Sequence, residues 1–148
     1  MKLDLTSFRD AFAALERSMT FLSSNSAKKD PLLHEQFRNS AIQCFEFTHE
    51  LAFKMMKRQL EQMSPDPAAI DKMAYMDIVR SAAEAGLVTD IARFKDYRDK
   101  RNITSHTYNQ AKAEKIEAIL PDFRDDMRSL LAELEKRKLP AAEFEPVK

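Results

Sequence analysis

Apolar residues recur along this chain at alternating three- and four-residue steps, the period of an α-helix that turns one face to a core. Leu5, Phe8, Phe12, Leu15, Met19 and Leu22 form one such seam and predict a helix over residues 5–23, capped by Asp4. Residues 24–29 are polar and read as a loop. Asp30-Pro31 restarts a helix, with an acceptor at the cap and a proline in the first turn, where no N–H is needed. This second helix runs to about residue 63, a rod ~50 Å long. Its apolar positions, including Phe37, Ala41, Cys44, Phe45, Phe47, Leu51, Ala52, Met55 and Met56, cover more than one stripe, so it has neighbours on more than one side.

Pro65 and Pro67 end the rod, and residues 64–72 form a linker with room for one helical turn. A third helix spans residues 75–85 with Ile78, Val79 and Ala82 inward. Gly86 is the sole glycine and falls where a helix stop needs a left-handed residue, and Leu87 follows to close the stop with an apolar contact. Thr89 or Asp90 then caps a fourth helix, with Ile91, Phe94 and Tyr97 facing neighbours. Asn109 looks like the cap of the last helix. Ile116, Leu120, Phe123, Met127, Leu130 and Leu134 keep one register through Pro121, and a true break would reset that phase. The pattern predicts a kinked or two-piece but collinear helix over residues 110–138. Short connections between seam-bearing helices give an all-α, antiparallel up-and-down bundle of four to five helices. It forms a single domain over residues 1–139, with residues 140–148 as a C-terminal tail.

Composition narrows the functional classes. Lysine plus arginine and aspartate plus glutamate balance at 24 each, so no bulk charge draws the protein to nucleic acid or a membrane surface. Any RNA contact must come from a local basic site. No apolar run approaches the roughly 20 residues of a membrane span. A lone cysteine and no secretory leader place the chain in the cytoplasm. Cys44 reads as a small core residue. His34, His49 and His106 make no zinc-type spacing, and no metal or cofactor is expected.

The candidate chemistry is concentrated in residues 99–109. Arg101 is a permanent cation with a fork of donors suited to phosphate, His106 can exchange a proton near neutral pH, and Tyr108 carries a modifiable hydroxyl. Positions five apart on a helix lie about 140° apart, so Arg101 and His106 share a face only if the helix ends between them. β-branched Ile103 and Thr104, then Ser105 to Asn109, favour that ending. The residues alone leave two readings open: a reactive surface cluster, or an arginine capping the helix beside half-buried loop residues. Glu46, Glu50 and Lys54, at four-residue steps on one helix face, read by themselves as a solvated surface.

The segment Arg101-Asn102-Ile103-Thr104-Ser105-His106-Thr107-Tyr108 after an amphipathic helix resembles the Arg-Asn-x-x-x-His-x-Tyr signature of HEPN domains. The resemblance is to the nucleotidyltransferase substrate-binding branch, which includes HepT-type toxins. Arg38, Gln43, Phe45-Glu46-Phe47, Glu50-Leu51-Ala52 and Lys54 form a second similar block, and Ile78-Val79-Arg80 with Ala85-Gly86-Leu87 a third. Phe94 stands where a tryptophan is common, and the linker around Pro65-Pro67 is enlarged. The resemblance implies a homodimer whose partner is a minimal nucleotidyltransferase, with which it would form a complex such as a heterotetramer. It implies metal-independent RNA cleavage by Arg101 and His106 at the dimer interface, with Asn102 supporting them. It implies that the nucleotidyltransferase adenylylates Tyr108 and so neutralises a toxin. Arg38, Glu46, Glu50 and Lys54 would line a groove at a dimer or partner contact. A non-catalytic subunit that presents substrate to the nucleotidyltransferase, and a bare helical adaptor, are the competing readings.

Overall fold

The structure is a computed structural model and describes residues 3–138. In α1 (Thr6–Leu22), the predicted seam residues Phe8, Phe12, Leu15 and Met19 are buried. The Asp4 carboxylate accepts from Thr6 N at 3.0 Å, but Leu5 holds the capping position and its side chain is fully buried. Residues 24–29, expected as a loop, contain a short helix, α2 (Asn25–Lys29), with Ser24 Oγ accepting from Ala27 N at 3.3 Å. Five residues are too few to display a periodic stripe, which is why the apolar pattern is silent there.

Asp30 opens α3 (Pro31–Met63), accepting from Leu32 N at 3.0 Å and Leu33 N at 3.3 Å. The remaining helices are α4 (Pro67–Asp71), α5 (Tyr75–Glu84), α6 (Ile91–Arg101) and α7 (Gln110–Lys138), with a single 3-10 turn at Thr104–His106 between the last two. α3 touches each of the other six helices, as an apolar surface wider than one stripe requires. The bundle is thus built from five longer helices and two short ones among the described residues.

Two boundaries follow from single residues. Gly86 has φ 80°, and its N donates to Ala83 O at 3.1 Å while Leu87 N donates to Ala82 O at 2.9 Å, the paired bonds of a Schellman stop. Leu87 is buried, supplying the apolar contact. Asn109 Oδ1 accepts from Lys112 N at 3.1 Å and starts α7, which continues as one helix through Pro121. Pro121 is exposed, and the stripe from Ile116 to Leu134 is buried on both sides of it. Packing of that stripe holds the helix in line across the bond the proline removes. Ile91 differs from expectation: at the first position of α6 it is 36% exposed. The predicted tail, residues 140–148, lies outside the described residues.

Edge-to-face aromatic contacts join the helices that carry the candidate chemistry. Phe45 of α3 meets Phe123 of α7 at 4.6 Å between ring centroids, and Tyr97 of α6 meets the same ring at 5.0 Å. Beside them Arg93 holds Asp126 with both arms, Nε to Oδ2 at 2.9 Å and Nη2 to Oδ1, while the Tyr97 hydroxyl donates to Asp126 Oδ2. Burial and the bond to Asp126 push the Tyr97 phenol above its usual range.

Candidate functional site

α6 ends in a basic turn, Arg98, Lys100 and Arg101, where cations complement the carbonyl end of the helix. Asn102 is the C-cap, its N donating to Arg98 O at 3.0 Å, and its side chain is exposed without a hydrogen bond among the described residues. The chain then tightens into the 3-10 turn, with His106 N donating to Ile103 O at 3.0 Å. The helix therefore ends between Arg101 and His106.

Arg101 is half-exposed and tethered from below. Its Nη1 donates to Thr104 Oγ1 at 3.2 Å and lies 3.7 Å from Glu46 Oε2. Thr104 Oγ1 lies 2.6 Å from Glu46 Oε2 and 2.9 Å from Arg101 O. A hydroxyl has one proton, and the short bond to the carboxylate is the stronger claim on it. Thr104 thus bridges the arginine to the glutamate. His106 closes the 3-10 turn, with Nδ1 3.3 Å from the Tyr108 hydroxyl and the two rings edge-on at 5.9 Å. Tyr108 is 85% exposed.

A buried imidazole lies behind this surface. The Tyr75 hydroxyl donates to Phe94 O at 2.9 Å, so its proton is committed, and His49 Nε2, 3.0 Å away, must be the donor to it. Burial, reinforced by the positive charge of Arg101, lowers the His49 pKa to about 4. Burial raises the Tyr75 phenol in turn. His49 is therefore neutral and serves as a fixed donor beneath the arginine.

The structure brings only part of the predicted groove together. Glu46 faces Arg101. Glu50 and Lys54 are exposed and take part in no ion pair or side-chain hydrogen bond among the described residues. Arg38 stands about 160° around α3 and about 24 Å along it from Lys54. It is buried, 6% exposed, at the wall of a cleft of about 810 Å³ between the start of α3 and the start of α7, and Tyr108 also lines that cleft. Sequence reasoning missed the Glu46–Thr104 tether, whose partners are far apart in the chain. It also missed the burial of Arg38, for which a signal existed: Arg38 lies in phase with buried Ala41, Ile42 and Phe45. Among the described residues no group of three or more His, Cys, Asp or Glu could hold a metal. No helix among them is long and apolar enough to cross a membrane. The surface therefore offers a fixed cation, a titratable imidazole and an accessible hydroxyl around one helix end.

Comparison with known proteins assigns the family. The chain is 38% identical over 138 residues to a Haemophilus influenzae protein named probable ribonuclease HepT, covering 92% of this chain and 94% of that protein. Among solved structures, one from Haemophilus influenzae, described as revealing the fold of a substrate binding domain of a nucleotidyltransferase, matches with a TM-score of 0.85 at 38% identity. That match covers 89% of this chain and 99% of the other. A Thermus thermophilus protein matches with a TM-score of 0.63 at 28% identity, over 84% of this chain and 98% of its own. The model of the family described as nucleotidyltransferase substrate binding protein like matches residues 3–136. With an all-helical bundle, a match across nearly the whole described chain and the Arg101–Tyr108 segment at its surface, the chain belongs to the nucleotidyltransferase substrate binding protein family.

Proposed function

We propose that this chain is the toxin-like subunit of a two-component module: a metal-independent endoribonuclease, acting as a cytoplasmic homodimer and held in check by a minimal nucleotidyltransferase. One observation carries the reading. Arg101 and His106 flank a single helix end, both half-exposed, with an open tyrosine hydroxyl 3.3 Å from the imidazole. In the proposed reaction His106 takes the ribose 2′-OH proton, and the 2′-oxygen attacks phosphorus. The 5′-oxygen leaves with a proton from the His106 of a second copy, leaving a cyclic phosphate. Arg101 neutralises the charge that develops on the phosphoryl oxygens. A two-fold axis would pair two such arginines into one phosphate-sized cationic site, which answers the neutral overall charge.

In the proposed control step the Tyr108 oxygen attacks the α-phosphorus of ATP and pyrophosphate leaves. The product adds a charged phosphodiester beside His106 and removes the hydroxyl proton from that pair. A second reading, a non-catalytic subunit that presents substrate within a heterotetramer, is favoured by the family's description and by the Glu46 carboxylate 3.7 Å from Arg101. The deciding experiment compares growth arrest and RNA cleavage for the wild type, Arg101→Ala and His106→Ala. Loss of either group is expected to lower cleavage by roughly 10²–10⁴. Equal activity in all three proteins removes the ribonuclease reading.

A further inference from the structure

Three cations close α6, and they are not placed alike. Lys100 Nζ is bonded to Asp96 Oδ1 at 2.6 Å, and the Arg98 guanidinium lies over the Tyr75 ring, 5.6 Å from its centroid. Arg101, with 39% of its side chain exposed, is held by one arm. Its Nη1 donates to Thr104 Oγ1 at 3.2 Å, while Nε and Nη2 make no hydrogen bond among the described residues. Arg93 shows the alternative, meeting the Asp126 carboxylate directly through Nε and Nη2. Such a pair consumes the planar fork that could otherwise receive two oxygens of a phosphate. At Arg101 a hydroxyl is set between the two charges, and Glu46 Oε2 stays 3.7 Å from Nη1, beyond hydrogen-bonding distance.

Thr104 is the pivot of this arrangement. It is buried, and its one proton goes to Glu46 Oε2 at 2.6 Å, which leaves oxygen lone pairs for Arg101. Glu46 belongs to α3, so the bond also ties the 3-10 turn to the central rod. Thr104 and His106 share that single turn, and one anchor therefore restrains both the guanidinium and the imidazole. Beneath the arginine His49 is neutral, so no second cation pushes the fork out of place. For stability alone a direct two-armed pair would fasten the arginine more firmly. The hydroxyl spacer gives up one bond and leaves the fork open.

We propose that Thr104 and Glu46 are positioning residues for RNA cleavage: the hydroxyl fixes Nη1, and the Nε–Nη2 edge of Arg101 is thereby kept aimed at the scissile phosphoryl group. This rests on the ribonuclease reading. Aim matters most when charge builds on the phosphoryl oxygens, so the hydroxyl acts on kcat and leaves substrate binding nearly unchanged. The Glu46 charge has an opposite effect on the resting complex, because a carboxylate 3.7 Å from Nη1 weakens the pull on any phosphate.

The test measures kcat and KM of the full chain on a single-stranded RNA oligonucleotide of mixed sequence, for wild type, Thr104→Val, Thr104→Ser and Glu46→Gln. Thr104→Val keeps the shape without the hydroxyl, and Thr104→Ser keeps the hydroxyl without the methyl group. Thr104→Val is expected to lower kcat roughly tenfold with KM within about twofold of wild type, and Thr104→Ser to recover most of that loss. Glu46→Gln should lower KM and kcat together, tightening binding while slowing the chemical step. An unchanged kcat in Thr104→Val, equal losses in the valine and serine variants, or faster cleavage by Glu46→Gln overturns the proposal. If the wild type cleaves no RNA, the ribonuclease reading fails by itself. The Arg101 side-chain NMR signals then decide the clamp. Separate Nη–H resonances in wild type and Thr104→Ser that merge in Thr104→Val support it, and merged resonances in wild type overturn it.

Discussion

Arg93 and Arg38 each reach across to α7, yet one is fully engaged and the other is not. Arg93 grips Asp126 with two parallel bonds, and the Tyr97 hydroxyl completes the carboxylate. Arg38 has only a 3.9 Å approach to a glutamate it shares with His34. Planar, two-armed contact fixes how α6 sits on α7, because both distance and angle are specified. The Arg38 arrangement specifies neither, so it adds little to the packing of α3 on α7. A buried charge without such partners lowers stability.

The sharpest way to break this comparison is Asp126→Ala. It strands the buried Tyr97 hydroxyl and frees Arg93, and it should cost ~3 kcal/mol in urea unfolding. Next in size is an acid effect at His49, the third buried polar node, which is satisfied only when neutral. Its folded pKa of about 4 lies below the ordinary 6.5, so the unfolded chain binds the extra proton as pH falls. This stability is present above about pH 6.5 and is lost through the window down to about 4. Between pH 7 and pH 5 the loss should be about 2 kcal/mol, and a His49→Gln variant should lack that slope. Thr104→Val removes the hydroxyl between Glu46 and Arg101 and should cost about 1 kcal/mol. Smallest of all, Arg38→Met should leave the unmodified chain within about 0.5 kcal/mol of wild type or more stable, read from the same unfolding curves. A loss as large as that of Asp126→Ala would erase the distinction between the two arginines.

Much of the fold was legible because its signals are local. Asp30-Pro31, the glycine at 86 and Asn109 act through their own backbone within four residues, and each marks the boundary it predicts. The register from Ile116 to Leu134 was readable across Pro121 because helix phase persists along a stripe. α2 was not legible, since one turn has no phase to show. Cys44, read as a core residue, is half-buried with Sγ 3.4 Å from Ser18 Oγ, at the edge of the α1–α3 contact. Of the candidate site, the order Arg101, His106, Tyr108 around a helix end lay in the sequence itself. The tether through Thr104 did not, because Glu46 reaches it only when α3 is packed beside the 3-10 turn.

By itself the sequence determined where the longer helices start and stop, which stripe of α1 and of α7 is apolar, and that a cation, an imidazole and a phenol sit within eight residues of one another. Local sterics and side-chain periodicity suffice for those decisions. Only the tertiary structure decided that Glu46 restrains Arg101, that His49 is neutral, and that Arg38 is buried at the wall of a cleft beside Tyr108. Charge and burial are properties of neighbours brought together from distant parts of the chain, and they exist only once the helices have packed.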